Sequence, residues 1–175
     1  MPKAYVTRTA DVAELVISAP PLNLFDAQLA ADLESALDEV IALCCPRGDE
    51  PESPPGTPRE ARPGAARAVL LRADGKVFCA GVDVHEFQGL GPSRGAALMA
   101  RFLAMVQTLE RLPVPTIAVV HALNLTIGFE LCLGCDLMWA AEDASFGQIF
   151  ATRDLPAGLT SLLEQGPRQA TFEGR

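Results

Sequence analysis

The residues able to do chemistry sit in two short stretches. In the later one, Glu130 stands among Phe129, Leu131 and Leu133. A carboxylate in apolar surroundings loses hydration, which favours its neutral form and suits it to exchanging protons. On an amphipathic helix the same glutamate would face water, and the segment alone leaves both readings open. Thr126, just upstream, is a residue type that caps helices. A helix beginning there would aim free N–H groups at the loop before it, a place for an anion or a developing oxyanion. In the earlier stretch, Val77-Phe78-Cys79, a strand is expected to stop at the small pair Ala80-Gly81. Glycine there permits close approach by a ligand and equally makes an ordinary turn.

The remaining reactive types fit bland roles better. His85 lies beside Glu86 and is expected to face solvent, and His121 follows an apolar run and is expected to be structural. A nucleophilic pair of Cys79 with a histidine has no third residue to orient it. Cys132 and Cys135 have C-x-x-C spacing in an apolar, helix-like run without a second ligand pair. Small buried side chains explain them better than zinc or redox chemistry, and no metal is expected. Asp136 is expected to anchor a turn.

Elements must hold these residues in place. Tyr5 to Arg8 and Val12 to Ser18 are β-formers around a turn at Thr9 to Asp11, and Pro20-Pro21 ends the second strand. Leu29, Leu33, Leu37 and Val40 recur at helical spacing after Asp26, a suitable N-cap. Pro46 to Pro63 holds six of the fourteen prolines and no aliphatic residue larger than alanine, so an exposed, mobile insertion loop is expected at 46–63. Ala68 to Arg72 is a short apolar strand. Arg94 to Leu112 is a second amphipathic helix, closed by Pro113 and Pro115. Thr116 to Val120 is nearly all β-branched, as in a strand covered on both faces. A third helix is expected from Thr126 to about Cys135, and another strand over Leu137 to Ala140. Strands alternating with helices predict an α/β fold with crossovers, as a single domain over residues 1–175.

Composition narrows the classes. The chain has 175 residues, 49% of them apolar and 21% charged, which excludes global disorder. Its 22 acidic against 14 basic residues give a net charge of −8, which argues against nucleic acid as a partner. No apolar run approaches the ~20 residues needed to span a bilayer, so no membrane partner is expected. Five cysteines without a framework suggest reduced thiols and a cytoplasmic setting.

The two stretches together resemble the crotonase superfamily, the enoyl-CoA hydratase/isomerase family. Phe78-Cys79-Ala80-Gly81-Val82-Asp83-Val84 is similar to the family's F-C-A-G-A-D-L signature. Pro115 to Val120, Gly128-Phe129-Glu130-Leu131, Cys135-Asp136-Leu137 and Ala141 to Gln148 follow its second signature, and Pro20 to Asn23 its early R-P-x-x-N segment. The resemblance runs from about Val12 to Gln148. It implies a crotonase-like core of ββα spiral turns, with the family's C-terminal helical part largely missing. It implies an acyl-CoA thioester as substrate, with coenzyme A part of the substrate and no separate cofactor. The thioester oxygen would accept from the backbone N–H groups of Val82 and Ile127, the latter in the middle of the family's G-G-G. Glu130 would be the acid/base, and Val82, Asp83, Val84, His85 and Gly128 would line the substrate and its CoA arm. The family's second glutamate, in a P-E pair after F-G-Q, is replaced by Ile149-Phe150. Asp154, four residues on, would substitute for it only with a slip of the alignment and otherwise reads as a surface or capping aspartate. A homo-oligomer, a trimer or dimer of trimers, is implied if the C-terminal part permits. The rival reading is a non-catalytic homologue that binds a CoA thioester or a partner.

Overall fold

The computed structural model describes residues 1–45, 64–87 and 91–148. The expected insertion at 46–63, and the positions Ile149, Phe150 and Asp154, lie outside the described residues.

The first two strands, β1 (Ala4–Thr9) and β2 (Val12–Ile17), form an antiparallel hairpin with Thr9 opposite Val12. Helix α1 (Ala27–Cys44) follows, and Asp26 caps it as expected, its carboxylate accepting from the Leu29 N–H at 2.8 Å. The capping side chain also pairs with Lys3. Strand β3 (Ala68–Ala73), helix α2 (Pro92–Glu110), strands β4 (Thr116–Val120) and β5 (Asn124–Leu125), helix α3 (Ile127–Leu133) and strands β6 (Leu137–Ala140) and β7 (Phe146–Gly147) complete the chain order.

Two ladders run through these elements. The larger is a five-stranded sheet in the order β1-β2-β3-β4-β6, parallel beyond the hairpin. Ala13, Leu15 and Ile17 of β2, Val69 and Leu71 of β3, and Ala118 and Val120 of β4 share one face with Leu29, Leu33, Leu37 and Val40 of α1. Alternation puts every second side chain on that face, which is why the core draws on i, i+2 positions of each strand. The sequence expectation that β4 is covered on both faces is corrected here. Thr116, Ala118 and Val120 are buried, with Ala118 and Val120 in the core, whereas Ile117 and Val119 on the opposite face are only half-buried.

The second ladder is short and is where the site lies. Phe25 bridges Val82, Cys79 bridges Asn124, and β5 pairs with β7, all in parallel. Each turn of the chain thus contributes one strand to the large sheet and one short rung to the small ladder before its helix, a ββα spiral. Val77 to Cys79 is a rung of this kind rather than the strand expected.

Candidate active site

The segment 78–83 is held on both sides. Its first half meets the loop before β5, with the Phe78 N–H donating to the Leu123 carbonyl at 2.9 Å and the Leu125 N–H to the Cys79 carbonyl at 2.9 Å. Its second half meets the stretch before α1. The Ala80 N–H donates to the Leu22 carbonyl, the Phe25 N–H to the Gly81 carbonyl and the Asp83 N–H to the Phe25 carbonyl, each at 2.9 Å.

This pattern determines where the Val82 N–H points. The Gly81 carbonyl is turned toward Phe25, and in a trans peptide the N–H lies opposite the carbonyl. The Val82 N–H therefore points away from Phe25, and among the described residues no carbonyl accepts from it. The same logic holds at α3. The Thr126 carbonyl accepts from the Glu130 N–H at 2.9 Å along the helix, so the Ile127 N–H leaves the helix start, again without a carbonyl acceptor among the described residues. In each case the residue just before the free N–H has a positive φ, Gly81 at 101° and Thr126 at 48°. The two are in contact: a Cβ on Gly81 would lie 2.8 Å from the Thr126 hydroxyl oxygen. Only glycine fits position 81.

Thr126 occupies the cap position of α3, but its side chain makes no capping hydrogen bond. Its hydroxyl is buried without a partner among the described residues. α3 is a seven-residue helix, shorter than the expected span to Cys135. What it offers is the individual Ile127 N–H rather than the field of a long helix.

Glu130 lies in the first turn of α3, half-buried, and the Gln148 side-chain amide donates to its carboxylate at 2.5 Å. The Phe129 and Phe146 rings pack beside this pair, centroids 5.2 Å apart. Gln148 appeared in the sequence only as part of a motif, and nothing in its spacing pointed to this contact.

The other expected residues separate into two groups. Asp83 accepts from the His85 N–H at 3.0 Å and so starts the 3-10 turn Val84–Phe87, on which His85 is exposed and Val84 half-buried. Gly128 points inward. A Cβ there would lie 2.4 Å from both the Asn124 side-chain oxygen and the Cys79 Cβ, so its smallness lets α3 dock on the Cys79 rung.

Neither histidine approaches a thiol. The His121 ring bonds the Gly75 carbonyl at 3.0 Å, while the Cys79 sulfur faces the Gly81 N–H at 3.4 Å. Burial pushes the Cys79 thiol up to about 11 and the Cys132 thiol to about 12, values that leave almost no thiolate near neutrality. Cys132 and Cys135 thus behave as packing residues. Among the described residues no group of three or more His, Cys, Asp or Glu side chains could hold a metal ion. Asp136 is the turn anchor expected: it accepts from the Thr116 N–H at 2.8 Å and hydroxyl at 2.9 Å.

The chain is similar to known proteins in sequence and fold. The "Enoyl-CoA hydratase/isomerase" family model matches residues 60–164. The chain is 31% identical over 137 residues to a protein of Bacillus subtilis named "Probable enoyl-CoA hydratase", covering 78% of this chain and 45% of that protein. Among solved structures, an enoyl-CoA hydratase from Thermoplasma volcanium superposes with a TM-score of 0.69 at 21% identity, over 86% of this chain and 53% of that one. One from Mycobacterium smegmatis superposes with a TM-score of 0.65 at 29% identity, over 83% and 50%. The chain spans about half the length of these relatives. A family match over more than half of the chain, on a crotonase-like ββα spiral, places this protein in the enoyl-CoA hydratase/isomerase family.

Proposed function

We propose that the chain acts on an acyl-CoA thioester by enoyl-CoA hydratase or isomerase chemistry. The observation that supports this best is the pair of outward-facing N–H groups, Val82 and Ile127, on two touching segments, each set by a positive φ just before it.

In this reading the thioester oxygen accepts from both N–H groups. In hydration the water oxygen bonds the β-carbon and the double-bond electrons move onto the thioester oxygen as an enolate. In isomerisation the pair left by the departing α-proton does so. The fixed donors stabilise the charge until a carbon takes up a proton. One such donor is commonly worth 10²–10³-fold in rate, so two of them carry about 5–8 kcal/mol of barrier lowering. Glu130 exchanges the proton, and the Gln148 amide orients its carboxylate. Hydration adds water across the double bond, the hydroxyl going to the β-carbon and a proton to the α-carbon. Isomerisation moves one proton between two carbons and needs no water, which a single carboxylate can serve. Val82, Asp83, Val84 and His85 would border the CoA arm, on the half-buried to exposed turn after the Gly81 rung. A cytoplasmic homo-oligomer working in fatty acid metabolism belongs to the same proposal. Among the described residues no helix is long and apolar enough to cross a membrane.

Turnover of crotonyl-CoA, followed by loss of the conjugated thioester's absorbance, tests it. Glu130→Gln is expected to lower kcat by about 10²–10⁴-fold, the usual worth of a positioned acid or base, with thioester binding retained in calorimetry. Binding of crotonyl-CoA and of a 3-enoyl-CoA with turnover of neither would instead establish a non-catalytic binder.

A further inference from the structure

Asn23 is 1% exposed and holds a left-handed backbone at φ 49°. Asparagine tolerates that conformation better than most residues, though glycine adopts it without cost. Its side-chain amide bonds only backbone groups, the nitrogen those of a distant segment and the oxygen one of its own. The amide nitrogen donates to the Asp74 carbonyl at 2.8 Å, the Val77 carbonyl at 2.9 Å and the Phe78 carbonyl at 3.1 Å. The amide oxygen accepts from the Ala19 N–H at 2.7 Å. The carbonyls it collects close the turn at Gly75 and end one residue before the Cys79 rung. The next links along the same two segments are the bonds of Leu22 to Ala80 and of Phe25 to Gly81 and Asp83. Asn23 thus stands at the head of a zipper whose far end sets the direction of the Val82 N–H.

We propose that Asn23 is a positioning residue for the Val82 donor: it indexes the segment 74–83 against the segment 19–25, and through it the Val82 N–H against the Ile127 N–H. This rests on the oxyanion-hole reading of the site. An ångström-scale slip of one donor is enough to cost a large part of a rate, on the order of a hundredfold, while leaving most binding contacts in place.

The test compares the full chain with Asn23→Gly, which keeps the left-handed backbone and removes only the side-chain bonds, and with Asn23→Asp, which keeps the acceptor and removes the donor. A conjugated aryl-enoyl-CoA is the probe, because hydrogen bonds to its carbonyl oxygen polarise it and shift its absorption to the red. Asn23→Gly is expected to lose most of the red shift and about a hundredfold in kcat, with KM little changed. In 15N-labelled protein without ligand, its Val82 amide resonance moves far more than that of Ile127. In Asn23→Asp the red shift is expected to return as pH falls and the new carboxyl regains a proton to donate. Asp74, with its partners Tyr5 and Arg72, and His121 face the same turn and are present in the wild type, whose red shift is the control across that range.

A purely structural role predicts lower Tm with kcat, red shift and the Val82 resonance intact, and that result overturns the proposal. So does failure of both variants to fold. A wild-type protein that binds the probe without a red shift removes the oxyanion reading itself. In that event the Val82 resonance in the two variants still decides whether Asn23 sets that N–H.

Discussion

At the residue scale, the most telling side chain is Thr126. A β-branched residue at φ 48° and ψ −118° is in a conformation that glycine adopts freely, and its buried hydroxyl has no partner among the described residues. Strain of this kind costs on the order of 1–3 kcal/mol and persists where surrounding structure imposes it. Here the surroundings are the Gly147 carbonyl, which takes the Thr126 N–H at 2.8 Å, and Gly81 packed against the side chain. Thr126→Gly is therefore expected to stabilise the fold by about 1 kcal/mol. The check is a higher urea midpoint at unchanged m-value. A lower midpoint would show that the threonine methyl packs better than the backbone suffers. The sequence carried a signal for this, since Thr126-Ile127 stands where the resemblance implies glycines, but Thr126 by itself reads as an ordinary helix cap, and only the structure puts the positive φ at Thr126. Asn23 was harder to read: the three carbonyls its amide nitrogen reaches lie 51 to 55 residues away, and only the folded chain brings them together.

At the element scale, local pattern was informative where local physics decides. β4 was legible to the residue because four β-branched residues in a run of five lie between prolines and a loop. α1 was legible from its apolar spacing and Asp26 cap. The rung at Cys79 was not, because a single bridge leaves no period to detect, and α3 proved shorter than its apolar run suggests because Gly134 ends it. One link between elements has a pH signature. Asp136 joins the start of β6 to Thr116 at the start of β4, and the Asp136 N–H donates back to the Thr116 hydroxyl at 2.8 Å. The Thr116 N–H and hydroxyl hold the Asp136 carboxyl below its usual 3.8. A carboxylate with a lowered folded pKa contributes stability above its unfolded pKa, and that contribution is lost as pH falls through the folded value. Unfolding free energy is thus expected to be flat above about pH 5 and to decline below about pH 4. Asp136→Asn should shallow that decline in denaturant titrations run at successive pH values. An unchanged slope would assign the acid sensitivity to Asp26, Glu34 and Asp74, whose carboxyls are also lowered.

At the scale of the whole molecule, the described sheet ends on β6, and its side chains are open. Leu137 is 60% and Trp139 76% exposed, on the same outer face as the half-buried Ile117 and Val119. An exposed apolar edge strand is a template for unwanted pairing, and a lysine is the usual way natural edges avoid it. Trp139→Lys is expected to leave Tm within about a degree or two, as surface changes do, and to raise the concentration at which light scattering begins. A large fall in Tm would instead mean that Trp139 is covered in solution. The small ladder carries a different consequence, one of time. Its rungs leave the ribosome in the order Phe25, Cys79 to Val82, Asn124-Leu125 and Phe146-Gly147, each laid beside a rung made earlier. Pairings so distant in sequence form slowly, because loop closure comes before any reward. The two donors belong to different spiral turns, so a nascent chain that has emerged only as far as Ala122 owns one of them and no site. The juxtaposition of the Val82 and Ile127 N–H groups is then a late property of this chain, acquired after most of its core residues have emerged.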